Sequence, residues 1–310
     1  MSTILVTTST FGKNNPAPLE YLKQSGLDPV LNPMGRKLTE EEVLSLIHEH
    51  NPVGILAGVE PLTASVLGQA KNLKAIARAG IGMDSVDQDS ASRLGISVTN
   101  TPDAPTIPVA ELTLGMILSL LRSIHLTDAS IRSGGWERPM GNLLYGKTVG
   151  IIGCGRIGSK LASYLKTLEC NVLGCDPACE LHDLIIIQDL NNVLSQSDII
   201  SLHLPYMSET HHFMNQVRIQ NMKPGSYLIN AARGGLIDEQ ALYQALADGH
   251  LAGAALDCFE QEPYTGPLKE LKKVLLTGHI GSYAKETRVM METQAAQNLV
   301  SQLKDGGVIK

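Results

Sequence analysis

The stretch KTVGIIGCGRIGSKLASYLKTL, residues 147–168, followed by NVLGCD at 171–176, decides the fold. Its apolar run, Val149 to Ile152, reads as a buried strand, and the segment after the glycines reads as an amphipathic helix. Gly153, Gly155 and Gly158 give the spacing G-x-G-x-x-G between the two. The first glycine permits a tight turn, the second lets backbone approach a pyrophosphate, and the third lets the helix pack close to the strand. The helix opening near Arg156 aims free N–H groups and the positive end of its dipole at such an anion. Three glycines alone would be weak evidence. Flanked by strand and helix, with Asp176 ending the next strand about twenty residues on, they form a dinucleotide-binding fingerprint.

Asp176 bears on which dinucleotide is bound. A carboxylate there accepts hydrogen bonds from an adenosine ribose and repels a 2′-phosphate, so NAD is favoured over NADP. The plainer reading of Asp176 is an acid capping the turn before Pro177.

Working outward, strands are expected at Ile4–Thr7, at GILAG (54–58) and at LKAIARAG (73–80). TEEEVLSLIHEH (39–50) reads as a helix opened by the cap Thr39 with acids in its first turn. A long helix, Val109 to Arg122, is punctuated at its start by Pro105 and Pro108. Downstream, DLIII, DIISLHLP, SYLIN, AGAALD and KVLLTG follow one another as strands with helical segments between most of them. Parallel strands need crossovers of a dozen residues or more, and this succession supplies them. The expectation is an α/β protein of two doubly wound parallel-sheet domains. The closing helix, Ala284 to Leu303, is expected to fold back onto the first block, making that domain discontinuous and leaving a cleft between the two.

Composition narrows the partners. The chain has 310 residues, 43% hydrophobic and 18% charged, too apolar for disorder. Its 25 Lys plus Arg against 31 Asp plus Glu leave a net charge of −6, which argues against nucleic acid and anionic membrane. The N-terminus has no basic region and only Ile4, Leu5 and Val6 as an apolar run, so no secretory signal is expected. The longest apolar stretch, Leu112 to Leu121, falls short of the ~20 residues that span a bilayer. The five cysteines (Cys154, Cys170, Cys175, Cys179 and Cys258) are expected to be reduced thiols of a cytoplasmic protein. Cys175 and Cys179 lack a second pair at ligand spacing, so both read as structural and no metal site is expected.

Charged residues gather at expected strand ends. Arg233 lies in LINAARGGLID, where flanking glycines leave room for a guanidinium to take a small carboxylate in bidentate fashion. AALDCFEQEP ends the next strand with Asp257 and Glu262, and LLTGHIGS ends the last with His279. The carboxyl edge of a doubly wound sheet is where ligands bind. Of nine histidines, His48 and His50 face different ways on one helix, and His211 and His212 lie in a polar stretch without an obvious partner. His203, which also ends a strand, is the chief competitor to His279. Only His279 follows a strand among small residues with a carboxylate upstream.

In this order and spacing, VGIIGCGRIG, NAARGGLIDEQAL, AGAALDCFEQEP and TGHIGS resemble the D-isomer-specific 2-hydroxyacid dehydrogenase family. RAGIGMDSVD and VTNTP…AELTLGMILSLLR are similar to its phosphoglycerate dehydrogenase-like branch. The resemblance runs from about Ala75 to the C-terminus. It implies an NAD-binding Rossmann domain at 101–284 and a smaller flavodoxin-like substrate domain made of 1–100 plus 285–310. It further implies hydride transfer between NAD(H) and a small 2-hydroxy or 2-keto acid. Arg233 would hold the substrate carboxylate and polarise the 2-oxygen, His279 would serve as general acid and base, and Glu262 would pair with it. Backbone N–H groups around Gly80, Ile81 and Gly82 would grip the carboxylate from the first domain, and Arg78 would be a further substrate-binding residue. Asp257 would orient the nicotinamide carboxamide, while Arg156 and Ile157 would lie over the pyrophosphate.

The first substrate expected is D-3-phosphoglycerate, with hydroxypyruvate, glyoxylate or another 2-keto acid close behind. Glu60, in GVEPLT, stands where phosphoglycerate-using relatives often carry arginines, and its charge would repel a phosphate. Leu204 stands where some relatives place a hydroxyl near the cofactor. Arg36, Lys37, Arg78 and Arg138 are the basic residues able to compensate for Glu60. No C-terminal regulatory domain is expected after Lys310. The resemblance also implies a homodimer through the cofactor domain, built on the helix Val109–Leu121 and the arm SGGWERP. Two other readings share the motifs: an NAD(H)-sensing corepressor-like protein, and a relative that oxidises formate or phosphite.

Overall fold

In the computed structural model, which describes residues 1–310, the chain divides into two units. The first comprises Met1–Pro105 with Ser282–Lys310, and the second Thr106–Gly281.

The first unit holds five strands: β1 (Ser2–Val6), β2 (Leu27–Leu31), β3 (Gly54–Ala57), β4 (Ala75–Arg78) and β5 (Ser97–Thr99). All neighbouring pairs are parallel, in the order β2-β1-β3-β4-β5. Successive side chains of a strand point to opposite faces, and β1 shows the consequence. Leu5 joins Val43, Ile47, Ile55 and Ile76 on one face. Ile4 and Val6 join Leu22, Leu56 and Ala77 on the other, closed by Ala295, Ala296, Leu299 and Leu303 of the helix Lys285–Asp305. The helix Glu40–His50 opens with the expected cap: Thr39 accepts from the Glu42 N–H, and the Glu42 side chain accepts from the Thr39 N–H.

The second unit holds β6 (Thr148–Ile152), β7 (Asn171–Cys175), β8 (Ile186–Ile187), β9 (Ile199–Leu202), β10 (Tyr227–Asn230), β11 (Gly253–Leu256) and β12 (Val274–Leu276). They form one parallel sheet in the order β12-β11-β10-β9-β6-β7-β8. The direction of winding reverses at β6, between β9 and β7, which is where ligands enter sheets of this kind. The long helix runs Thr106–Leu121, starting three residues before the expected Val109. Pro108 thus sits inside its first turn, where a missing N–H breaks no helical bond. Val109, Met116, Ile117 and Leu120 pack against Val149, Ile151 and Leu161. No single helix is long and apolar enough to cross a membrane; Thr106–Leu121 and Ile124–Arg132 reach that length only together, across a 68° bend.

Candidate active site

The glycine-rich turn lies between β6 and the helix Arg156–Thr167. Gly153 has φ +95°, and a Cβ there would stand 2.6 Å from the His203 carbonyl oxygen. A Cβ on Gly158 would enter the Gly153 carbonyl, so helix and strand meet closer than any other residue allows. Gly155 differs: nothing lies within 4 Å of its would-be Cβ. It caps the helix without a side chain, leaving the first-turn N–H groups to an anion. Arg156 is exposed there and Ile157 half-buried. Asp176, just after β7, accepts the Cys154 N–H at Oδ2 and the Ala178 N–H at Oδ1, each at 2.8 Å. A carboxylate has about four acceptor positions, so capacity remains for a ribose. Open backbone, an uncapped helix start and this carboxylate together fit NAD.

Two neighbours are chemically quiet. Burial, reinforced by the Asp176 charge, pushes the Cys154 thiol up to about 12. Burial pushes the His203 ring down to about 4, so the competitor to His279 is a neutral imidazole at neutral pH. Its Nε2 lies 2.9 Å from the Ser201 hydroxyl, and its Nδ1 has no partner.

The charged strand ends assemble through backbone-directed bonds. Asn230, the last residue of β10, accepts the Ala232 N–H and donates to the Arg233 carbonyl at 2.7 Å. This pins the turn that presents Arg233, whose Nη1 donates to the Ala232 carbonyl. Gly234 follows because any Cβ there would run into the backbone of Phe259. The Arg233 turn is thereby pressed onto the loop that carries Cys258 and Glu262.

Glu262 accepts the Phe259 N–H at 3.1 Å, and its two oxygens lie 3.0 and 2.9 Å from His279 Nδ1. His279 has φ +55°, a left-handed conformation that a non-glycine residue adopts only where its surroundings impose it. The surroundings here centre on Asp257, whose side chain is wholly buried. Its carbonyl accepts the His279 N–H, and its carboxylate accepts the Thr277 hydroxyl and the Ile280 and Gly281 N–H groups, at 2.6–2.8 Å. With Nδ1 turned to the carboxylate, Nε2 is the atom left for proton exchange.

In the first unit, the Arg78 guanidinium donates to the Ala79 carbonyl, and a Cβ on Gly80 (φ +148°) would strike it. The Gly80 N–H donates to the Thr101 hydroxyl and the Arg78 carbonyl. Glu60 is buried, accepting the Gly58 N–H and the Thr7 hydroxyl, and so braces its own loop. Arg36 is engaged too: it makes two bonds to Glu42, at 2.8 and 2.6 Å, and these hold the Glu42 carboxyl down at about 2. Lys37 and Arg138 are exposed.

Residues 114–281 match the profile described as "D-isomer specific 2-hydroxyacid dehydrogenase, NAD binding domain". The chain is 39% identical over 275 residues to a D-3-phosphoglycerate dehydrogenase of Methanocaldococcus jannaschii, covering 86% of this chain and 52% of that protein. It is 39% identical over 279 residues to a glyoxylate reductase of Thermofilum pendens, covering 86% and 82%. The chain belongs to the D-isomer specific 2-hydroxyacid dehydrogenase family. Among solved structures, the TT0316 protein from Thermus thermophilus superposes with a TM-score of 0.90 at 35% identity, over 98% of this chain and 97% of that one. This chain spans about half the length of the phosphoglycerate dehydrogenases it matches.

The family's motifs named Arg233, Glu262 and His279, but not the groups that aim them. Asn230 and Thr277 went unread, although an Asn two residues before a turn is a known device for holding one. The sequence points Asp257 only toward a cofactor, yet its carboxylate bonds to the loop bearing His279.

Proposed function

We propose that this chain interconverts a D-2-hydroxy acid and its 2-keto acid with NAD(H), with 3-phosphoglycerate and 3-phosphohydroxypyruvate the first pair to try. The observation that carries the reading is the Glu262–His279 contact, fixed on a loop pressed against the Arg233 turn. The Gly153–Gly158 turn and Asp176 would hold NAD, which when bound would supply hydride chemistry. His279 removes the hydroxyl proton at Nε2 in oxidation and returns it in reduction, a role suited to imidazole. Glu262 orients the ring and stabilises its charged form. Arg233 binds the substrate carboxylate and polarises the 2-oxygen. Asp176 takes the ribose, Arg156 and Ile157 the pyrophosphate, and the remaining acceptor position of Asp257 the nicotinamide carboxamide.

An unphosphorylated substrate is the second reading, favoured by the Arg36–Glu42 pairing, which removes one cation that would have met a phosphate. Glyoxylate and hydroxypyruvate belong to it. The test is loss of NADH absorbance with a panel of 2-keto acids. Turnover confined to 3-phosphohydroxypyruvate supports the first reading, and preference for an unphosphorylated acid supports the second. Silence across the panel with NADH still bound would defeat both and favour a sensing role.

We also propose a homodimer through the cofactor unit. Ile124, Ile131, Trp136, Met140, Leu143 and Tyr145 are exposed along one segment of the sequence and supply apolar surface for such a contact. A strictly monomeric mass in solution would rule the dimer out. The cysteines, none of them in a disulfide, accord with a cytoplasmic setting.

A further inference from the structure

We propose that Cys258, Glu262 and His279 form a binding site for one zinc-like divalent cation, and that its occupation switches the site off. The second half rests on the function proposed above; the first does not. The three donor atoms, Cys258 Sγ, a Glu262 carboxylate oxygen and a His279 ring nitrogen, all lie within 4.8 Å of one another. Tetrahedral zinc, with bonds near 2.0–2.3 Å, holds its donors roughly 3.3–3.6 Å apart. Nδ1 and the carboxylate, now at 2.9 Å, need to part by a few tenths of an ångström, and the sulfur needs to close by at most about 1.5 Å.

The donor set selects the ion. Sulfur, imidazole and carboxylate together suit zinc, cobalt or cadmium, whereas magnesium and calcium prefer oxygen alone. Three protein donors leave a fourth position for water, which is the pattern of an open site. The setting is built for coordination: Cys258 is buried behind the pair, its thiol 3.5 Å from the Ala232 carbonyl. The His279 and Glu262 side chains are 41% and 35% exposed, so an ion reaches the buried sulfur from their side. The loop that carries His279 is fixed by Asp257, and the Glu262 side chain is held by the Phe259 N–H, so little ordering is needed on binding.

On binding, the Cys258 thiol proton and the proton shared by Nδ1 and Glu262 pass to solvent, and sulfur, nitrogen and oxygen each form one bond to the ion. No oxidation state changes. The ion then occupies the face of His279 that Glu262 had oriented, and the ring can no longer cycle its charge. This gives the protein sensitivity to free zinc that magnesium does not reproduce.

The experiment is a titration of the purified protein with Co²⁺ and Zn²⁺. One Co²⁺ per chain is expected, with sulfur-to-cobalt charge-transfer absorption in the near ultraviolet, displaced by Zn²⁺ and unaffected by Mg²⁺. Cys258→Ser and Cys258→Val should abolish that absorption and weaken Zn²⁺ binding by at least about tenfold, with circular dichroism confirming that each variant is folded. In turnover assays Zn²⁺ should inhibit, and a chelator should restore activity. Absence of the thiolate band, or an unchanged band in Cys258→Ser, overturns the site itself. Binding without inhibition of an active protein overturns the switch alone. A protein with the band but no turnover on any acid refutes the proposed function and leaves the metal site standing.

Discussion

A single imidazole carries the chemistry proposed here, so its removal is the sharpest test. His279→Ala should lower turnover by about 100- to 10,000-fold while NADH affinity changes little, as read by steady-state kinetics and fluorescence titration. Equal losses in both would move His279 out of the chemical step. Asp257 acts on the same ring from beneath. Its carboxylate is the acceptor for three donors on the loop after β12, and removing one oxygen acceptor leaves buried donors unsatisfied. Asp257→Asn should therefore destabilise the fold by about 1–3 kcal/mol in urea unfolding and slow turnover as well. A variant of wild-type stability would show that the loop holds its left-handed residue by other means.

At the level of elements, the motif glycines are explained by collisions they avoid. Gly234→Ala forces a Cβ into the Phe259 backbone and pushes the Arg233 turn off the loop of Glu262. Displacement of about 1 Å at a reacting group costs on the order of 100-fold, so a loss of that size in kcat is expected, with a lowered melting temperature. Wild-type kinetics in this variant would mean that the two loops do not act together. The sequence made much of this legible. Fingerprint spacing announced β6, its turn and its helix, and Thr39 with the acids after it announced a helix start. Strand β2 went unread because Asp28 and Pro29 break its pattern, which an edge strand tolerates. DLIII promised a full strand and supplies only Ile186–Ile187, since it lies at the sheet margin with a single neighbour. The destinations of Glu60 and Arg36 were also hidden. A residue type shows its charge, but only the folded loop shows whether that charge is already engaged.

Across the whole molecule, His203 couples folding to acidity. Its ring titrates at 6.5 when unfolded and near 4 when folded, so between these values the unfolded chain holds more protons. Stability therefore rises with pH across that window and falls as acid is added, by roughly 3 kcal/mol in all at about 1.4 kcal/mol per pH unit. Urea unfolding across pH 4–6.5 should show this slope, and His203→Gln should flatten it; an unchanged slope would place the effect elsewhere. The helix Lys285–Asp305 has a consequence for biosynthesis. It closes one face of the sheet that begins at Ser2, whereas the unit from Thr106 to Gly281 is continuous in sequence. Domains commonly fold in the order in which they leave the ribosome. In this chain the order inverts: the segment that begins at Ser2 must wait, its apolar face uncovered, until Lys285–Asp305 has emerged. Nascent chains arrested after Gly281, tethered clear of the ribosome exit, should resist protease over the second unit and be cut within the first.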